Sequence, residues 1–189
     1  FLDPETYAVE HEVTVTLDGR PIARLNELEA ADGLIWANQW DNPANWRGHF
    51  ETTGPEIIEA LPDVSMFVAG LGTGGTLMGV ARRLKEHNTD TKIVAVAPEP
   101  DDFISGLRSL EEGFIPPILD IDVLDSRMLV NSFDAFATTK RLLAEEGIFA
   151  GVSSGSVVYG AMRQAERMDK GDIVCLLADG GWKYLSTAL

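Results

Sequence analysis

The sequence predicts an α/β fold with a mostly parallel, twisted sheet and helices on both faces. Short runs of apolar and β-branched residues alternate with helical patterns along the chain. One such run, Lys92 to Val96, is apolar at almost every position, as expected when helices cover both faces of a parallel sheet. Two glycine-rich turns, at residues 72–76 and 151–155, directly follow predicted strands. Ligands of such sheets bind at that position.

The first half of the chain contains four predicted strands and two predicted helices. Residues 13–17 form a strand before a turn, residues 22–31 have the spacing of a helix, and residues 34–37 form a short strand. The strand from Met66 to Leu71 then runs through a glycine-rich turn into a helix. The apolar residues of that helix recur at helical spacing: Leu77, Val80, Ala81 and Leu84.

A long irregular connection separates the strand at residues 92–96 from the elements that follow. Residues 98–125 are rich in proline and acidic residues, which is typical of a functional lid or binding loop. A helix over residues 133–146 is predicted to end at Gly147 with a left-handed cap. The remaining expectations are strands at 128–130, 148–150 and 172–179, a helix from the second glycine-rich turn to residue 168, and a last helix from Trp182, whose Trp and Tyr pack on the sheet.

Composition excludes several classes of function. The 189 residues include 15 Lys+Arg and 30 Asp+Glu, which gives a net charge of −15. The only dense basic cluster is residues 82–85, so neither nucleic acid nor an anionic membrane surface is expected as a partner. The single cysteine cannot form an intrachain disulfide, and no apolar run has the length of a membrane span or the form of a signal peptide. We therefore expect a cytoplasmic protein.

The first glycine-rich turn, Gly72, Thr73, Gly74, Gly75 and Thr76, is a candidate phosphate site. Glycine permits backbone conformations that aim several N–H groups at one point, and the dipole of the following helix adds positive potential there. The turn lacks the lysine of a Walker loop and is too short for a dinucleotide fingerprint. A tight turn without a ligand is the alternative.

Other polar residues have two possible interpretations each. Ser153 or Ser154 could cap the following helix, or could contact a ligand that has both a phosphate and a hydrogen-bonding ring. Arg108 could bind an anionic substrate group or form a surface ion pair. The amides of residues 38–45 could satisfy the local backbone. The histidines have no metal-ligand spacing, so no metal site is predicted, and Cys175 is expected to be an inert core residue.

Six motifs together closely resemble the cysteine synthase family, which consists of pyridoxal-phosphate enzymes with the tryptophan-synthase-β fold (fold type II). They occur in order and in register from about Leu34 onward: residues 42–45, 52–56, 70–76, 145–148, 151–155 and 184–187. Residues 1–31 match poorly. The resemblance implies a remnant of a smaller N-terminal half-domain at residues 1–33 and a larger domain at residues 34–189. That larger domain binds the phosphate of pyridoxal 5'-phosphate, and the fold is truncated on its N-terminal side.

The resemblance also implies roles for individual residues. In the family, the segment matching Gly72 to Thr76 holds the cofactor phosphate, and the serine matching Ser153 hydrogen-bonds the pyridine nitrogen. The glutamine matching Gln39 helps to hold the substrate carboxylate. A neutral serine leaves the pyridine unprotonated, which favours prompt loss of a β leaving group. The implied reaction is β-replacement, in which an activated serine loses acetate or phosphate and a sulfur nucleophile takes its place to give L-cysteine.

The resemblance extends to one branch of the family. Residues 106–114 and 178–183 are most similar to the branch that uses O-phosphoserine, in which an arginine at the position of Arg108 contacts the substrate phosphate. This implies a preference for O-phosphoserine over O-acetylserine. The sulfur donor stays open among sulfide, thiosulfate and a thiocarboxylated carrier protein, and a homodimer is the expected assembly.

One part of the family pattern is absent from the sequence. The family has its Schiff-base lysine in a Ser-x-Lys segment and binds the substrate carboxylate with a Ser/Thr-Gly-Asn-Thr-Gly loop, and neither occurs here. No catalytic residue is therefore assigned. We expect the chain to be the C-terminal part of a longer or split enzyme, poorly stable alone because its sheet is truncated. The alternatives are an incomplete paralogue that acts as a binding or regulatory module, and an α/β domain that binds another phosphorylated ligand.

Overall fold

The structure, a computed structural model, describes residues 16–17, 20–21, 29–31, 34–36 and 39–187. The chain divides into two compact units, residues 1–39 and residues 40–189. The domain division predicted after residue 33 stays a prediction.

The described residues of the first unit form two pairs of short antiparallel strands. Strand β1 (Thr16–Leu17) pairs with β2 (Arg20–Pro21), and β3 (Glu29–Ala31) pairs with β4 (Leu34–Trp36). The helix predicted over residues 22–31 is wrong at its end, where β3 forms, and residues 22–28 lie outside the described residues. The Asp-Gly pair between β3 and β4 favours a two-residue hairpin, and this turn signal outweighs the helical spacing.

The second unit is built on a four-stranded parallel sheet in the order β7-β6-β5-β8. Its strands are β5 (Met66–Gly70), β6 (Lys92–Pro98), β7 (Ser126–Val130) and β8 (Ile173–Cys175). Its helices are α1 (Pro43–Glu51), α2 (Thr53–Ala60), α3 (Gly75–His87), α4 (Ser132–Glu146) and α5 (Val152–Ala165). The predicted α/β class with a parallel sheet is confirmed.

Alternate residues of the central strands enter two separate cores. Phe67 and Ala69 of β5 pack in one core with the apolar face of α3, beside side chains from α1 and α2. Met66 and Val68 pack in the other core with residues of α4 and α5. Helices therefore cover both faces of the sheet, which explains why β6 is apolar at successive positions.

Three predicted elements near the end of the chain differ from the structure. The strand expected at residues 148–150 is reduced to one antiparallel bridge between Ala150 and Gly180, and the strand expected at residues 172–179 is limited to β8. Residues Gly181–Thr187 form a 3₁₀ helix, in which Trp182 is 64% exposed, so its predicted packing on the sheet is wrong. Gly180 forms the bridge with Ala150 and Gly181 begins the 3₁₀ helix, so other regular structure takes the place of the predicted end of the strand.

Asp125 joins the end of the long connection to the sheet. Its carboxylate accepts hydrogen bonds from Lys85 Nζ at 2.9 Å, from Lys92 Nζ at 3.1 Å and from the Ile93 N–H at 2.9 Å. Burial raises the pKa of Asp125, but these hydrogen bonds outweigh it and hold the pKa below its ordinary value. The folded state therefore stabilises the ionised carboxylate of Asp125 relative to the unfolded state.

We expect Asp125→Asn to lower the free energy of unfolding at pH 7 and to flatten its pH dependence in acid. Because the folded-state pKa is lowered, the stabilisation is present above the unfolded pKa and is lost as pH falls through the folded pKa, from about pH 5 downward. Urea unfolding at several pH values between about 7 and 3 measures this. Parallel pH profiles for the parent and the variant would contradict the prediction.

Candidate functional site

The loop between β5 and α3 has the geometry of an anion site. Gly74 is the N-cap of α3 and has φ +91°, a left-handed conformation that favours glycine. The first hydrogen bond of the helix runs from the Met78 N–H to the Gly74 carbonyl at 2.8 Å. The N–H groups of residues 76–77 come before this bond and therefore have no acceptor within the helix. These groups and the helix dipole suit a bound phosphate.

Helix α1 supports this loop through two polar side chains: Asn45, which ends the motif at residues 42–45, and His49, which the sequence analysis did not select. Asn45 Nδ2 donates to Thr73 Oγ1 at 3.0 Å, and the same hydroxyl accepts from the Gly75 N–H at 3.3 Å. His49 Nε2 lies 3.1 Å from Thr76 Oγ1. A Cβ on Gly75 would overlap the Asn45 side chain, so glycine is needed there for close approach. Both side chains of α1 thus contact the glycine-rich loop.

Ser153 lies in the first turn of α5 and is 94% buried, with 6% of its surface exposed. The N-cap of α5 is Gly151, and no side chain caps this helix, so the interpretation of Ser153 or Ser154 as a cap is wrong. Ser153 Oγ lies 3.9 Å from the position that a Cβ on Gly106 would take. Its hydroxyl is therefore free of a capping role and faces the long connection.

Gly106 brings the two glycine-rich turns together. It has φ +86°, and its carbonyl oxygen lies only 2.9 Å from the position that a Cβ on Gly72 would take. Ser153 also lies close to Gly106, so Gly72 and Ser153 are both neighbours of Gly106. The two turns thus meet near the carboxyl end of β5, as expected for a ligand crevice in a parallel sheet.

Arg108 is held beside the glycine-rich loop by its backbone. Its N–H donates to the Leu71 carbonyl at 2.8 Å, while its guanidinium lies over the rings of Trp40 at 5.1 Å and Phe114 at 5.0 Å. Its Nε lies 3.3 Å from Glu112 Oε2. The surface ion pair considered for Arg108 is therefore present, and the contact with a substrate phosphate stays a prediction.

The other residues selected from the sequence have simpler environments. Gln39 is the last residue of the first unit, and its contact with a substrate carboxylate stays a prediction. Burial raises the pKa of Cys175 to about 11, so the thiol stays protonated at neutral pH and is a poor nucleophile. The cations of the basic cluster are engaged separately: Arg82 lies over the Trp46 ring, and Lys85 pairs with Asp125.

The described residues contain neither a candidate metal cluster nor a candidate membrane-spanning helix. Within residues 39–187 and the short strands before them, no group of three or more His, Cys, Asp or Glu side chains could hold a metal ion. In the same part of the chain, no helix is both long enough and apolar enough to cross a membrane.

A family described as "Pyridoxal-phosphate dependent enzyme" matches the chain over residues 7–179. The chain belongs to this family. The resemblance to cysteine synthases is confirmed by the relatives of this pyridoxal-phosphate-dependent chain. A cysteine synthase of Staphylococcus aureus is 39% identical over 178 residues, which cover 89% of this chain and 57% of that protein. A cysteine synthase of Aquifex aeolicus is 35% identical in an alignment 207 positions long, and this alignment covers 98% of this chain and 63% of that protein.

The fold has close counterparts among solved structures of pyridoxal-phosphate-dependent enzymes. The crystal structure of O-ureido-L-serine synthase superposes with a TM-score of 0.74 at 37% identity, over 80% of this chain and 51% of that chain. This confirms the predicted fold type. The chain spans between half and two thirds of the length of these relatives.

The residues present fit pyridoxal phosphate, the cofactor of this family and the one predicted. The N-terminus of α3 and the hydroxyls of Thr73 and Thr76 are donors that suit a phosphate dianion. A Cβ on Gly72 would fill the space in front of the Gly106 carbonyl, so glycine keeps the loop open there. The Ser153 hydroxyl suits a neutral ring nitrogen.

We expect Thr73→Val to lower both the stability of the second unit and its affinity for pyridoxal phosphate. The substitution removes the oxygen that accepts from Asn45 and Gly75, which should cost about 1–2 kcal/mol because two partly buried donors lose their acceptor. Urea unfolding and a fluorescence titration with pyridoxal phosphate measure the two effects. Thr73→Ser, which keeps the hydroxyl, should retain most of the stability and most of the affinity for pyridoxal phosphate. Losses in Thr73→Ser as large as those in Thr73→Val would contradict the explanation.

Proposed function

We propose that this chain is the cofactor-phosphate-bearing portion of an enzyme that makes L-cysteine by β-replacement, with O-phosphoserine preferred over O-acetylserine. The observation that carries the proposal is the meeting of the glycine-rich loop and Ser153 at Gly106. A phosphate donor set and a neutral hydroxyl at one crevice match the two ends of pyridoxal phosphate. The identity with cysteine synthases over most of the chain supports this assignment.

Each site residue has a distinct task in this proposal. The N–H groups at the start of α3, with Thr73 and Thr76, bind the cofactor phosphate. Ser153 donates to the ring nitrogen and keeps it unprotonated, because a hydroxyl cannot supply the negative charge that would stabilise a pyridinium. Gln39 binds the substrate carboxylate. Bound pyridoxal phosphate supplies an electron sink for the bonds at the substrate α-carbon.

Arg108 gives the proposed preference for O-phosphoserine. The rings of Trp40 and Phe114 flank its guanidinium, and its N–H bond to Leu71 fixes its backbone beside the glycine-rich loop. A planar guanidinium held in this way suits a bidentate contact with a phosphate dianion. In this structure Glu112 forms an ion pair with Arg108, so the substrate phosphate has to replace the Glu112 carboxylate. The phosphate ester is a dianion and competes for the guanidinium, whereas the acetyl ester of O-acetylserine is uncharged and does not.

The proposed partners follow from the same chemistry. The substrates are an amino acid and a sulfur donor, which is sulfide, thiosulfate or a thiocarboxylated carrier protein, and the proposed location is the cytoplasm. Phe103 and Phe133 support the proposed homodimer, since they are 78% and 80% exposed. The N–H of Ser132 donates to Asp102 Oδ2, which places the two aromatic residues on neighbouring segments. An exposed aromatic pair of this kind is typical of a contact surface.

Borohydride reduction of the native protein tests the proposal. Reduction should leave a pyridoxyl group on a lysine in a peptide outside residues 1–189, because none of the five lysines of the chain lies in a Ser-x-Lys segment. Peptide mapping and the intact mass of every chain present identify that peptide. An unmodified protein with the mass of 189 residues would instead favour the second candidate, a module that binds a phosphorylated ligand without covalent chemistry. The missing Ser-x-Lys segment is the observation that keeps this candidate open.

A further inference from the structure

The 3₁₀ helix at the end of the chain contributes a side chain that bonds a partly buried carboxylate beside α5. Tyr184 Oη donates a hydrogen bond to Asp179 Oδ2 at 2.8 Å. We call these two residues the tyrosine bridge, because they connect the 3₁₀ helix to the start of α5.

The other end of the bridge is fixed to the start of α5. Asp179 Oδ1 is buried without a hydrogen-bond partner among the described residues, and a Cβ on Gly151 would overlap it. The Gly151 N–H donates to the Asp179 carbonyl at 3.0 Å, and Ala150 forms an antiparallel bridge with Gly180. Asp179 is thus packed against the N-cap of α5, two residues before Ser153. Only glycine at position 151 permits this close approach.

We propose that Tyr184 and Asp179 are positioning residues that fix the place of Ser153 in the crevice. Asp179 packs on the N-cap of α5 and accepts its N–H hydrogen bond, and Ser153 lies in the first turn of the same helix. The position of the Ser153 hydroxyl therefore depends on a hydrogen bond made outside the crevice. This inference rests on the proposed function, because that position matters for a cofactor ring held at Ser153.

The environment of the phenol keeps the bridge intact across neutral pH. Burial, together with the neighbouring Asp179 carboxylate, raises the pKa of Tyr184 above its ordinary value. Tyr184 therefore stays protonated and able to donate to Asp179. Its ring also packs on Gly151, where a Cβ would lie 2.7 Å from Tyr184 Cε2. Tyr184 thus fixes the start of α5 by packing as well as by its hydrogen bond.

Tyr184→Phe tests the proposal in the full chain, because it removes the hydroxyl and keeps the ring. The matched control is Tyr159→Phe, since Tyr159 is also a phenol whose pKa is raised by a neighbouring carboxylate, that of Asp134, and it lies further along α5. Hydrogen–deuterium exchange without cofactor should be about tenfold faster in residues 151–155 of Tyr184→Phe, because the bridge no longer restrains this segment. The amides of Gly151, Ser154 and Gly155 are suitable reporters because all three are hydrogen-bonded.

Ligand binding separates positioning from general destabilisation. Affinity for pyridoxal phosphate should fall about tenfold in Tyr184→Phe, while affinity for inorganic phosphate, which needs only the glycine-rich loop, should stay within about twofold. Unchanged exchange in Tyr184→Phe, or the same increase in Tyr159→Phe, would overturn the proposal. Failure of the parent chain to bind pyridoxal phosphate would count against the proposed function, and the exchange measurement would still decide whether the bridge restrains the start of α5.

Discussion

Arg108→Ala is expected to lower kcat/KM for O-phosphoserine by at least about thirtyfold and to leave kcat/KM for O-acetylserine within about threefold. Loss of one partner from a close, charge-assisted pair costs about 2–5 kcal/mol, and each 1.4 kcal/mol corresponds to about a factor of ten. The acetate ester has no dianion for the guanidinium to bind. The measurement is steady-state kinetics on both substrates with the cofactor-loaded enzyme.

Arg127→Ala is a matched control for this prediction. Arg127 and Arg108 have side chains that are both 32% exposed, and each pairs with a glutamate of the same short segment, Glu111 and Glu112 respectively. The control therefore removes an equivalent surface ion pair but no proposed substrate contact, and both substrates should be turned over as by the parent. Equal losses on the two substrates in Arg108→Ala would show that Arg108 has a structural role and does not bind the substrate phosphate.

Gly79→Ala is expected to lower the free energy of unfolding of the second unit by about 3 kcal/mol, because an added Cβ has no space. It would overlap the Trp46 carbonyl oxygen and lie 2.6 Å from His49 Cβ and 2.9 Å from the Phe50 nitrogen. Two of these atoms belong to the backbone of α1, so the strain can be relieved only by moving α1 away from α3. Since α1 carries the residues that support the glycine-rich loop, affinity for pyridoxal phosphate should fall as well.

Gly48→Ala provides the opposite result in the same helix pair. No atom lies within 4 Å of the Cβ that this change would add, and Gly48 is inside α1. Alanine should therefore stabilise the unit by about 0.5–1 kcal/mol through its better helix propensity. Urea unfolding of both variants measures the contrast. A Gly79→Ala protein as stable as the parent would mean that α1 and α3 are not in close contact.

Elements with strong local signals were predicted well from the sequence. Strand β5, its glycine-rich turn and α3 have regular apolar spacing, and Gly147 ends α4 with φ +69° as expected. One error arose where a turn signal overrode the pattern. Between β3 and β4, the Asp-Gly pair in the sequence favours a hairpin, and a strand forms in place of a helix end. The last strand, β8, is shorter than predicted and ends at Cys175.

The candidate site was predictable only in part, because some of its contacts join distant positions. The glycine-rich loop and Ser153 could be found because both follow predicted strands, which places them at one edge of the sheet. Nothing local indicates that Asn45 bonds Thr73, 28 residues away, or that Asp179 packs on Gly151. Such side-chain partnerships depend on how helices and loops pack, and the sequence pattern carries no information about that.

The strand order of the sheet has a consequence for how the chain folds. Strand β5 lies between β6, the next described strand along the chain, and β8, which is synthesised after the other three strands of this sheet. Met66 pairs on one side with Lys92, which is 26 residues away, and on the other with Ile173, which is 107 residues away. Contacts of such long sequence separation slow folding. During synthesis, the strand that presents the glycine-rich loop stays open along one edge until the ribosome has released residues 173–175.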